Sequence, residues 1–161
     1  MKALIIADSD ILIDVCKENT SKISIETPTN GTILPSFKII DKLSQHFKNI
    51  YYQVSIDADK INSTRLLKHG SSQESIDRRI GSNIEQVKNY VSRLQYNNFF
   101  IYANLSVGKH NVGYFNSAFR TIWEKYHIVP RLYQVYDNGL SDNELVYLEK
   151  ELAAIYDYIC F

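Results

Sequence analysis

SSQESIDRRIGSNIEQVKNYVSRL, residues 71–94, carries the longest helical pattern of the chain. Ser71 and Glu74 stand three apart, the spacing of a capping box that opens a helix. Gly70, just before, suits the end of a preceding short helix, where φ is often positive. Ile76, Ile80, Ile84, Val87, Val91 and Leu94 then recur at spacings of three and four. That is one buried stripe of a long amphipathic helix. Short apolar runs flank it, IYYQVSI at 50–56 and FFIYA at 99–103. Strand, helix and strand in that order predict a parallel crossover unit.

The pattern repeats outward. KALIIA at 2–7 reads as a buried strand ending in Asp8-Ser9-Asp10. For Ile11 to Lys17 periodicity leaves helix and strand both open. KISIE at 22–26 alternates like a strand, and TPTNG at 27–31 like a turn. Pro35 suits the first turn of a helix over 36–48, with Phe37, Ile40, Leu43 and Phe47 on one face. Asn111 can cap a helix bearing Val112, Phe115, Phe119, Ile122 and Tyr126, with Trp123 beside that stripe as packing. Residues 129–136 read as a last strand, which Pro130 places at an edge or shortens. Ser141 and Glu144 form a second capping box before Leu145, Leu148, Leu152, Ile155 and Ile159. The expectation is one α/β domain over 1–161. It is a three-layer sandwich with a mostly parallel sheet of about five strands, a usual sheet size.

Composition narrows function by exclusion. Lys plus Arg and Asp plus Glu number 18 each, so no global field favours nucleic acid or an anionic membrane. The 12 tyrosines suit half-buried strands or a subunit contact. Cys16 and Cys160 lie near opposite ends and read as reduced, buried thiols. MKALIIAD lacks a signal-peptide pattern, and no run approaches a membrane span, so the expected setting is cytoplasmic. The four histidines, His46, His69, His110 and His127, show no ligand spacing.

Arg65, His69, Arg78 and Arg79 gather cations at a helix-loop-helix corner, which suits phosphate because guanidinium offers a fixed fork of donors. The plainer alternative is a solvated helix face beside Glu74 and Asp77. RLLKHGSSQESIDRRI, Arg65 to Ile80, resembles the lid segment of guanylate kinase-like P-loop nucleotide kinases, close to R-L-x-x-R-G-(T)-x-S-E-E-S-I-x-R-R-L. YNNFFIYANLS, Tyr96 to Ser106, looks like that family's following strand, so the likeness spans roughly residues 50–106. It implies that Arg79 falls on the second phosphate-clamping lid arginine. The first falls on His69, a departure. A phosphate loop, G-x-x-x-x-G-K-[ST], is missing from the sequence. Ala7-Asp8-Ser9-Asp10-Ile11 follows the first predicted strand instead, and two carboxylates there repel a triphosphate unless a divalent metal intervenes.

Those acids motivate an alternative. Asp8 and Asp10 follow one predicted strand, Asp57 and Asp59 another. Ends of parallel strands share the sheet edge where sites of open α/β folds lie. Oxygen ligands from two such pairs suit Mg²⁺. IADSDILID, Ile6 to Asp14, looks like the opening strand of PIN-type nucleases, with Asp8 on the metal position. Against this, Asp at a strand end is commonly a turn residue or cap.

The resulting expectation is a degenerate P-loop-kinase-like domain. It acts as a non-catalytic binding or assembly module for a protein partner or a phosphate-bearing small molecule, with no cofactor. Tyrosines at a subunit contact would make it a homo-oligomer. The alternative is a Mg²⁺-dependent nuclease or phosphohydrolase using the four aspartates, the only reading in which nucleic acid is a partner.

Overall fold

The computed structural model describes residues 9–56, 73–107, 111–134 and 139–160. Helix α1 is Ser9–Cys16, followed by a 3-10 segment Lys17–Lys22. Then come β1 (Ser24–Thr29), α2 (Phe37–His46), β2 (Asn49–Ser55), α3 (Gln73–Arg93) and β3 (Phe99–Val107). A 3-10 turn Val112–Tyr114, α4 (Phe115–Tyr126), β4 (Val129–Gln134) and α5 (Asp142–Cys160) complete the order.

The four strands form one all-parallel sheet in the order β1-β2-β3-β4. Register shows the direction directly. Ser24 pairs with Asn49 and Thr29 with Val54. Ile50 N–H donates to the Asn98 carbonyl and Ile56 N–H to that of Asn104, the same offset at both ends of β2. The two edge strands each carry a proline, Pro28 in β1 and Pro130 in β4. Proline has no N–H for a ladder, so an edge is where it is tolerated.

This corrects the expected architecture. The sheet has four strands among the described residues, not five; the run at 2–7 lies outside them. Nor is the order that of a doubly wound, P-loop-kinase-like sheet, which reverses at a switch point. Ile11 to Lys17 resolves to the end of α1 and the start of the 3-10 segment, and β1 runs through Thr29, so the expected turn shrinks to Asn30-Gly31. Pro35 precedes the N-cap Ser36 instead of entering the helix.

The described residues fall into two compact units, one of residues 9–55 with 74–102 and the other of residues 56, 73, 103–107, 111–134 and 139–160. In the first, α2 and α3 cover the face of β2 that carries Ile50, Tyr52 and Val54. Ile40 and Leu43 of α2, with Ile80, Ile84, Val87 and Val91 of α3, are all buried there. Gly31 lets the β1–α2 connection meet this layer: its φ is +72°, and a Cβ would stand 2.5 Å from Val54 Cγ1. Asn98 closes the other end of α2, donating through Nδ2 to the carbonyls of Ser44 and Phe47 at 2.8 and 2.9 Å. Those are carbonyls that a helix end leaves without an internal partner.

In the second unit, α4 and α5 lean on one another. Asn111 makes no side-chain capping bond, contrary to expectation, because a 3-10 turn separates it from α4. Glu151 of α5 performs that role: its Oε2 accepts the Asn116 N–H at 2.6 Å. A carboxylate suits the positive end of a helix dipole. The second capping box forms as expected. Ser141 Oγ accepts the Glu144 N–H at 3.4 Å, and Glu144 Oε2 accepts the Ser141 N–H at 2.7 Å.

Candidate functional site

The residues named from sequence fall in three places. Arg65, His69, Asp8, Asp57 and Asp59 lie outside the described residues. Asp10 lies within α1. Arg78 and Arg79 lie in the first turns of α3 and are exposed. Arg78 Nη2 stands 3.5 Å from Glu74 Oε1, both side chains 75% exposed. That is the solvated i, i+4 pair of a helix surface, which contributes little to stability. Among the described residues no group of three His, Cys, Asp or Glu side chains is placed to hold a metal ion. None of the described helices is long and apolar enough to cross a membrane.

Three other features concentrate interaction chemistry. The first is a phenol–carboxylate cluster between α2 and α3. Tyr90 O–H lies 2.8 Å from both Asp41 carboxylate oxygens, and Tyr96 O–H donates to Asp41 Oδ1 at 3.0 Å. Phe37 stands one turn before Asp41, and its ring stacks on Tyr90 with centroids 4.1 Å apart and planes 4° apart. Tyr90 therefore lies along two successive turns of α2, ring on ring and hydroxyl on carboxylate. Its hydrogen bond to the anionic Asp41 raises the Tyr90 pKa above that of an ordinary phenol. Tyr96 is raised too, first by desolvation and then by the same bond. Neither donor was named from sequence. Tyr90 precedes Val91 of the apolar stripe, and nothing in local spacing announces a partner 49 residues away.

The second feature is the β1–α2 connection, at the C-terminal end of a parallel strand. Thr29 Oγ1 accepts the Gly31 N–H at 3.2 Å, and Asn30 Oδ1 accepts the Thr32 N–H at 3.1 Å. Buried Asn83 of α3 donates to the Gly31 carbonyl at 2.9 Å. The loop is thus pinned to α3, and its polar groups serve its own geometry. Beneath it, an apolar crevice between Thr27, Ile39, Leu43, Ile50, Tyr52 and Phe99 offers no charged group that would orient a substrate.

The third is the outward side of α5. Sequence placed Leu145, Leu148, Leu152, Ile155 and Ile159 in one buried stripe. The structure divides it. Ile155 is 6% exposed and Leu148 is half-buried, but Leu145, Leu152 and Ile159 are 43%, 41% and 59% exposed. Tyr156 is more exposed still, at 65%. Trp123 of α4, expected as packing, is also exposed, and so is Cys160. A neighbouring flank of α5 is engaged: Glu151 caps α4, and Tyr158 O–H donates to Glu124 Oε1 at 3.0 Å under the guanidinium of Arg120. Burial first, and then that carboxylate, raise the Tyr158 pKa.

The exposed members of that stripe are set seven residues apart, Leu145, Leu152 and Ile159, with Tyr156 one turn before Ile159; Val146 and Tyr147, also exposed, lie off this row. Over fourteen residues a helix rises about 21 Å, so the row is a continuous ridge, not scattered single residues. Its sequence signal was present, since the stripe was legible. What sequence lacked was any sign of how much of the stripe the chain itself would cover.

No family model, curated protein or solved structure matches this chain.

Proposed function

We propose that this chain is a non-catalytic binding and assembly module that docks a protein partner along the outward ridge of α5. The observation that carries this is the exposure of Leu145, Leu152, Tyr156 and Ile159 together on one side of a capped helix. Apolar side chains gathered in a row gain free energy when covered, about 25 cal/mol for each Å² removed from water. An amphipathic helix set in an apolar groove is a recurrent way to cover such a row. The helix is held along a neighbouring flank, by Glu151 on Asn116 and Tyr158 on Glu124, so the ridge is presented on a fixed support.

The test is site-specific photocrosslinking in cells. A photoreactive side chain at position 152 gives a discrete protein adduct, a second copy of the chain included. The same group at position 78, on the solvated face of α3, gives none. Equal labelling from the two positions refutes the proposal.

A further inference from the structure

The ridge on α5 is not purely apolar. Leu145, Glu149, Leu152, Tyr156 and Ile159 follow one another at spacings of four, three, four and three, so they share one side of the helix. Glu149 stands inside that row and is exposed. Covering the row would desolvate its carboxylate, which is costly unless a cation meets it. Around it the helix is acidic. Asp142, Glu144, Glu149, Glu151 and Asp157 stand against Lys150 as the one cation of α5. Glu144 is held in the cap and Glu151 on Asn116. Asp142, Glu149 and Asp157 remain exposed.

Resting on the docking role proposed above, we infer that the occupant of the ridge is a basic amphipathic helix of another protein, carrying Lys or Arg opposite Glu149. A second copy of α5 is the poorer fit. Laid parallel and in register, it sets Glu149 beside its own equivalent. Its Lys150 is turned about 100° round the helix from Glu149, with the ammonium 5.7 Å from the Tyr147 ring centroid. Charge complementarity of this kind selects partners and speeds encounter as well as adding affinity.

Two synthetic 21-residue helices are the probes. Both carry leucine at the a and d positions of a heptad; one has lysine flanks, the other glutamate flanks. Fluorescence anisotropy with the full chain reads binding. The lysine helix binds, and added salt weakens it; the glutamate helix does not. Glu149→Lys reverses that preference. Leu152→Gln, or Ile159→Gln as a second variant, weakens the lysine helix by about tenfold, the loss of one ridge contact. Equal binding of both helices, binding of neither, or no reversal with Glu149→Lys overturns the inference. A dimer in sedimentation that Leu152→Gln dissolves also overturns it, while leaving the ridge as an assembly site. Binding of the lysine helix that ignores both ridge variants sinks the inference and the docking role together.

Discussion

α3 and α5 are of similar length, 21 and 19 residues, and each carries one apolar stripe at helical spacing. Their fates differ. Ile80, Ile84, Val87 and Val91 of α3 are 1%, 2%, 0% and 9% exposed, and only Leu94, expected at the end of that stripe, lies past the helix and is 41% exposed, while α5 buries Ile155 alone. The difference lies in what stands opposite. In the first unit β2 presents Ile50, Tyr52 and Val54, and Gly31 removes a side chain that would hold the layers apart. In the second, α5 meets α4 through one flank, where Glu151 and Tyr158 make polar contacts. Periodicity states which side of a helix is apolar; a facing surface decides whether the chain covers it.

The largest test of that contrast is truncation of a covered side chain. Ile84→Ala removes apolar atoms from a fully packed position and leaves a cavity, so stability falls by about 2–5 kcal/mol. Urea unfolding followed by circular dichroism measures it. A loss as small as that of a surface substitution would show that the first unit is no better packed than the ridge.

Glycine gives a sharper pair. Gly31 and Gly139 both have positive φ, +72° and +60°. Alanine at either pays backbone strain, about 1–2 kcal/mol. At Gly31 the new Cβ also meets Val54 Cγ1 at 2.5 Å and Ile80 Cγ2 at 3.3 Å, whereas at Gly139 nothing lies within 4 Å. Gly31→Ala therefore costs more than Gly139→Ala, about 2 kcal/mol or more against about 1. Equal losses in the two unfolding curves would break the comparison.

How far these features were legible follows from the range of each interaction. The four described strands and the helices between them came from local pattern, because alternation and 3.6-residue periodicity act within a few residues. Their sequential order did not, since strand neighbours are set by contacts far apart in the chain. The capping box at Ser141 was readable for the same local reason. The replacement of Asn111 by Glu151 was not, because the donor and acceptor are separated by 35 residues. Arg78 illustrates a different limit. Its proximity to Glu74 was legible as a helix-surface pair, and that pair is what forms. The phosphate reading required Arg65 and His69 beside it, and these lie outside the described residues. Neither Tyr90 nor Tyr96 was legible as a donor because Asp41, their shared acceptor, is brought to them only when α2 packs on α3.

Those tyrosines make the comparison pH-dependent. Tyr52, Tyr90 and Tyr96 in the first unit and Tyr158 in the second all have pKa values raised above 10.0. Folding thus favours the neutral phenol. Unfolded tyrosine ionises near pH 10, so this stabilisation is complete below that pH and is lost as pH climbs through the raised folded values. Melting temperature falls as pH rises above 10. The double variant Tyr90→Phe with Tyr96→Phe flattens that fall more than Tyr158→Phe, which removes one raised phenol instead of two. An unchanged alkaline slope in Tyr90→Phe with Tyr96→Phe would mean that Asp41 does not hold both hydroxyls in solution.

The smallest expected stability effect carries the most functional weight. Leu152→Gln changes an apolar side chain at the same kind of stripe position as Ile84, so periodicity alone ranks the two together. Exposure separates them, at 41% against 2%. A substitution on an exposed surface shifts stability by no more than about 0.5 kcal/mol. A leucine that is silent in unfolding yet required for docking is doing its work between molecules. A leucine whose loss unfolds the chain belongs to the core instead. Comparing Leu152→Gln in urea unfolding and in peptide binding separates the two. Loss of binding at unchanged stability places the apolar row of α5 outside the core, whereas a loss of several kcal/mol would make α5 a second version of α3.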